Sequence, residues 1–127
     1  MSEKNRHIPL NPEIIQTYVI DACGGDREIV LQMVDYFLES SAKMVGEMKV
    51  ELAADNLPAV YRAAHSLKSS AKMFSAEALS NLCAQTEESA LQKLRSEISL
   101  QLPELQRELE RISVELPIVC RQILNRK

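Results

Sequence analysis

Of the two histidines in the chain, only His65 has neighbours that could make use of its ring. It lies within YRAAHSLKSSAKMFSA, residues 61 to 76. An imidazole, with an ordinary pKa of about 6.5, keeps an unprotonated nitrogen near neutral pH and can attack a phosphoryl group. Lys68, Ser69 and Lys72 follow at three, four and seven residues, spacings that share one side of a helix. The two ammonium groups could stabilise phosphoryl oxygens arriving at the ring. Ser69, one turn on, is small enough for another protein's surface to approach. The pattern suggests a phosphorylatable histidine, although the same spacing also describes an ordinary solvated one. His7 stands in a polar opening segment and has no partner in sequence.

Other chemistries lack their residues. There is no P-loop, no GxGxxG and no HExxH, so nucleotide binding and zinc-protease sites have no signature. Cys23, Cys83 and Cys120 are odd in number, widely separated and form no CxxC pair, which reads as buried small hydrophobes rather than a metal or redox site. Whatever His65 does, it is expected to do without a bound metal or cofactor.

A helix must position the ring. Val60, Ala64, Leu67, Ala71 and Phe74 alternate four and three residues apart, as one buried helical stripe does. His65, one residue past Ala64, turns about 100° away and emerges at the edge of the polar face.

The chain as a whole supports such a scaffold. Its 127 residues and 46% hydrophobic content suit one domain with a continuous core. Five aromatics and three glycines, with no Trp, favour helices over a sheet. A net charge of -3 gives no general attraction to nucleic acid or anionic lipid. No apolar run approaches the roughly 20 residues of a membrane span, and the opening MSEKNRHIPLN lacks a secretion signal's apolar core. These features predict a soluble, cytoplasmic protein.

Taken in order, residues 1–9 read as a flexible tail. Asn11 and Pro12 open a short helix with Ile14, Ile15, Tyr18, Val19 and Ala22 on its apolar face, ended by Gly24 and Gly25. Asp26 caps a long helix whose seam is Val30, Met33, Phe37, Ser41, Met44, Met48 and Leu52, widened by Ile29, Val34, Leu38 and Val45, with a bend possible at Gly46. Asp55 and Asn56 stop it and cap the helix of His65. Ser75 is expected to cap the next helix, with a seam of Leu79, Leu82, Cys83, Thr86, Ala90 and Leu94 and with Glu87 beside it. The last seam runs Leu102, Leu105, Leu109, Ile112, Leu116, Val119 and Ile123. Pro103 fits a first turn, Pro117 should kink or split the helix near 113–116, and Glu104, Arg107, Glu108, Glu110 and Arg111 form its solvated face. The expected fold is all-α, an antiparallel four-helix bundle with an additional short N-terminal helix.

The run His65-Ser66-Leu67-Lys68-Ser69-Ser70, continued by Phe74-Ser75-Ala76, resembles the HxLKG(S/A)(S/A) motif and downstream Gly-Ala of histidine-containing phosphotransfer (HPt) domains in two-component phosphorelays. Gly25-Asp26, Phe37, Asp55, Leu79, Cys83 and Glu87 also look like that family, so the resemblance covers roughly residues 10–125 and the bundle domain is taken as 10–127. It implies that His65 is the phosphoacceptor through Nε2, that Lys68 helps neutralise the phosphoryl group, and that Glu87 could orient the ring through Nδ1. An ordinary exposed glutamate is the rival reading of Glu87.

Tyr61, Arg62, Ser69 and exposed parts of the long helix surround the expected position of His65 and are candidate docking residues, with Tyr61 also readable as core. Lys72, at a variable position of the family, adds local positive potential. The partners implied are response-regulator receiver domains, which would bring their own Mg²⁺, and a hybrid sensor histidine kinase. No nucleic acid, membrane or resident cofactor is implied, and the protein is expected to act as a monomer. Ser69 and Ser75 depart from the family's glycines; at Ser69 the change adds a small obstruction and a hydroxyl that could bond a phosphoryl oxygen. The alternatives are a helical interaction module that binds without transferring, and the histidine-bearing domain of a chemotaxis-type kinase.

Overall fold

Four of the turns in this chain stop a helix in the same way. The computed structural model describes residues 8–126; residues 1–7 of the expected tail, His7 among them, lie outside the described residues. The long helices are α2 (Arg27–Ala53), α3 (Leu57–Met73), α4 (Glu77–Leu91) and α5 (Arg95–Leu124), preceded by the short α1 (Pro12–Ile15). α3 packs chiefly on α4, α2 on α3 and α5, and α4 on α5. Each helix therefore lies beside its neighbours around a ring, the antiparallel up-down arrangement that three-residue connections impose.

Each connection has a residue in the left-handed conformation where the helix stops, Gly24 (φ 64°), Asp55 (φ 58°), Ser75 (φ 61°) and Lys93 (φ 59°), and at the first Gly25 (φ 74°) follows in the same region. The next amide reaches back five residues, as in Ala76 N–H to Ala71 O at 2.8 Å and Asn56 N–H to Glu51 O at 2.8 Å. This pairing satisfies carbonyls that the helix end leaves free. Asp26 Oδ1 and Asn56 Oδ1 accept from Ile29 and Ala59 amides and cap α2 and α3, as their sequence positions predict. Ser75 does not cap α4. Ala76 takes that place without a side-chain bond, while Ser75 is the stopping residue of α3 and its Oγ accepts from Asn11 N–H at 2.7 Å.

Several seams shift from their sequence reading. α1 continues as a π-helical turn (Gln16–Ile20) and a 3₁₀ turn (Asp21–Cys23), so its register advances. Ile15, Val19 and Ile20 turn inward, whereas Tyr18 and Ala22 face outward. In α2 the buried stripe is Val30, Val34, Phe37, Ser41, Val45, Met48 and Leu52. Met33 and Met44 flank it half-buried, and Ile29 is exposed. α2 runs unbroken through Gly46.

α4 ends at Leu91, and Leu94 is the exposed residue preceding α5 rather than part of the α4 seam. α5 begins at Arg95, so Pro103 is well inside it, and the helix runs through Pro117 without splitting. Each proline deprives the carbonyl four residues earlier of its donor; these are Ser99 and Ser113, both at exposed positions where water can substitute. Glu108 is not on a solvated face: its side chain is 1% exposed and paired with Arg111, which also contacts Glu115 and donates to Ile8 O at 3.3 Å. Burial of a carboxylate requires such a partner. Arg95 ties the base of the bundle, donating to Leu52 O at 3.0 Å and pairing with Asp55 at 3.1 Å.

Candidate functional site

α3 is a 17-residue helix with Val60, Ala64, Leu67 and Ala71 buried against the other helices. Phe74, stacked on Phe37 at 4.2 Å, anchors its end. With that stripe fixed, His65 is carried to the surface, where its side chain is 56% exposed. Lys68, one turn on, sits lower and is half-buried.

The neighbouring helix supplies the third group. α4 buries Leu79, Leu82, Cys83 and Thr86, and Glu87 follows them into the interface with α3, its side chain only 11% exposed. Its Oε1 lies 2.8 Å from Lys68 Nζ and 3.4 Å from His65 Nδ1. Glu87 is thus not an ordinary exposed glutamate. The hydrogen bond to Glu87 raises the Lys68 pKa above 10.5 although desolvation works against it, so the ammonium stays charged near neutral pH. Cys83, one turn before Glu87, has its thiol pushed up to about 12, first by burial and then by the Glu87 charge. It remains a protonated hydrophobe.

The geometry divides the ring's two nitrogens. Nδ1 faces a carboxylate at 3.4 Å, an arrangement that would favour the tautomer with the proton on Nδ1 and leave the Nε2 lone pair for an electrophile. When Nε2 forms a bond the ring becomes cationic, and the same carboxylate is placed to stabilise it. Lys68 adds a cation within one turn.

The remaining candidates separate. Tyr61 is half-buried against the core and stacks on the His65 ring, with centroids 6.0 Å apart and planes 12° from parallel. Ser69 is exposed, and its hydroxyl turns back to donate to His65 O at 3.3 Å. Arg62 lines a groove between α2 and α3 whose floor includes Gly46, Ala59 and Ala63. Lys72 lines a second groove, formed with Tyr18 and residues of the N-terminal segment. Sequence reasoning missed the Tyr61 stack, whose signal was an aromatic four residues before the histidine. Among the described residues no group of three or more His, Cys, Asp or Glu side chains could hold a metal ion.

A family model described as Hpt domain matches residues 32–115, about two thirds of the chain and the whole of α3 and α4. The chain belongs to the Hpt domain family. The matched span is shorter than the 10–125 resemblance read from sequence, and Gly25-Asp26 falls outside it. No curated protein and no solved structure matches the chain. Hpt membership carries a phosphotransfer-related role in two-component signalling and interaction with receiver domains and kinases.

Proposed function

We propose that this Hpt protein relays a phosphoryl group through His65 Nε2 between aspartates of two receiver domains, as an intermediate with no kinase activity of its own. The observation that supports this most directly is the buried Glu87 carboxylate, which meets both His65 Nδ1 and Lys68 Nζ. In the step, the His65 Nε2 lone pair attacks phosphorus, the oxygen–phosphorus bond of the donor's aspartyl phosphate breaks, and the aspartate leaves as carboxylate. The proton on Nδ1 stays there, held toward Glu87. Lys68 faces the developing phosphoryl charge. Transfer to the second aspartate is the reverse.

Arg62, Ser69 and Lys72 are exposed residues of α3 three, four and seven positions from His65 and belong to the proposed docking surface, together with the outer edge of Tyr61. We place the bundle domain at 10–127, acting as a monomer in the cytoplasm with receivers and a hybrid sensor kinase. Among the described residues no helix is long and apolar enough to cross a membrane.

The test is to mix the protein with a phosphorylated receiver domain and follow acid-labile phosphate. Wild type should become labelled and His65→Gln should not. Binding without acid-labile label on the wild type would replace the relay with a non-transferring interaction module.

A further inference from the structure

We infer that Tyr61 is a positioning residue for His65: its ring forms a wall that, with Glu87, holds the imidazole in one orientation before any partner arrives. This rests on His65 being the phosphoacceptor. A histidine ring exposed on a helix ordinarily rotates about its two side-chain bonds, and each rotation moves Nε2 by several ångströms. Glu87 restrains one edge, at 3.4 Å from Nδ1. That contact is long, and Lys68 competes for the same oxygen at 2.8 Å, so the carboxylate alone is a loose restraint.

Tyr61 supplies the second. It lies four residues before His65, hence on the same side of α3, and its ring is nearly parallel to the imidazole, with a 12° angle and a 6.0 Å centroid separation. That is an offset stack. Tyr61 is itself half-buried and packed on the core, so the wall does not swing with the ring it supports. The Tyr61 ring flanks the imidazole and limits its rotation on that side, the Nδ1 edge faces Glu87, and the exposed remainder of the ring presents Nε2 to a partner. Attack on phosphorus uses the in-plane direction at Nε2, because the nitrogen lone pair lies in the ring plane. Fixing it in advance lowers the orientational cost of transfer.

The test compares Tyr61→Phe, which keeps the wall, with Tyr61→Leu, which keeps apolar bulk but has no aromatic face. Two readouts use the isolated protein. One is the ¹⁵N NMR signature of the His65 ring, which reports its tautomer populations. The other is the rate at which phosphoramidate labels His65, a reaction in which the donor's phosphorus–nitrogen bond breaks, ammonia leaves and Nε2 gains the phosphoryl group. Wild type and Tyr61→Phe should share one tautomer distribution and one rate. Tyr61→Leu should mix the tautomers and label about three- to tenfold more slowly.

If Tyr61→Leu matches wild type in both readouts, or if Tyr61→Phe loses as much as Tyr61→Leu, the inference is overturned. Labelling that is unchanged while more receiver is needed for half-maximal transfer would make Tyr61 a docking residue only. Failure of the relay reading looks different: phosphoramidate would label the wild type normally and no phosphorylated receiver would.

Discussion

Lys68 Nζ lies 2.8 Å from Glu87 Oε1, the oxygen that also stands 3.4 Å from His65 Nδ1. The cation that should meet the phosphoryl group is thus held by the residue that should orient the ring. Glu87→Gln keeps an acceptor for Nδ1 but releases Lys68, so phosphoryl uptake should stay within about threefold of wild type. Glu87→Ala removes the acceptor as well and should slow uptake about tenfold or more. Rapid-quench measurement of uptake from a phosphorylated receiver checks the order, and equal rates in the two variants would remove Glu87 from the ring's support.

Core and site should separate cleanly on α3. Leu67 is fully buried and Lys68, the next residue, is half-buried at the site. Leu67→Asp places an unpaired charge in the core and should abolish the cooperative helical transition, while Leu67→Ala should cost about 2–5 kcal/mol. Lys68→Ala should keep the helical circular dichroism of wild type and slow transfer. Equal loss of helicity in Leu67→Asp and Lys68→Ala would refute the division.

Ser75 has φ 61° and accepts from Asn11 N–H. Its backbone favours glycine, and its hydroxyl favours serine. Ser75→Gly relieves the left-handed strain but loses the bond, so it should fall within about 1 kcal/mol of wild type. Ser75→Ala loses the bond and keeps the strain, and should be the less stable of the two by about 1 kcal/mol. Urea unfolding of the two variants measures the difference directly.

How far the sequence could be read depended on whether a pattern had one physical solution. The α3 stripe did: only one set of apolar residues ran through it, and His65 emerged beside it as expected. α2 had two overlapping stripes, one through Met33 and Met44 and one through Val34 and Val45, and packing against α3 and α5 chose the valines. Ser75 was misassigned because a left-handed stop and an N-cap favour overlapping residue types at adjacent positions. Glu108 read as a surface residue, and spacing left Glu87 open between an exposed glutamate and a partner of the ring, because a carboxylate's burial depends on its partner. Arg111 lies one turn away, but Lys68 lies on another helix, and no spacing rule connects it to Glu87.

Gly46 is exposed inside a continuous helix, and a Cβ placed there meets nothing within 4 Å. Gly46→Ala should therefore stabilise the bundle by about 1 kcal/mol through backbone entropy alone. The same methyl group would stand in the groove beside Arg62. A variant more stable in urea yet needing more receiver for half-maximal transfer would place the docking surface across α2 and α3; unchanged receiver dependence would exclude this groove.

Alkali should destabilise the fold through its buried thiols. Cys83 is pushed from 9.0 to about 12 and Cys120 from 9.0 to about 11, both chiefly by burial. In the folded state they hold their protons where the unfolded chain has released them. The associated stability is fully present below pH 9 and is lost as pH rises through the folded values. Lys68, raised above 10.5, acts in the same direction at the upper end of that range. Urea midpoints should hold level up to about pH 9 and then decline, with a shallower decline in Cys83→Ala. At neutral pH, iodoacetamide should leave Cys83 and Cys120 unmodified in the folded protein, and modify them once urea exposes them. Labelling of Cys83 in the native state would mean that α4 opens from α3 on its own, and that Glu87 does not hold a fixed place beneath His65.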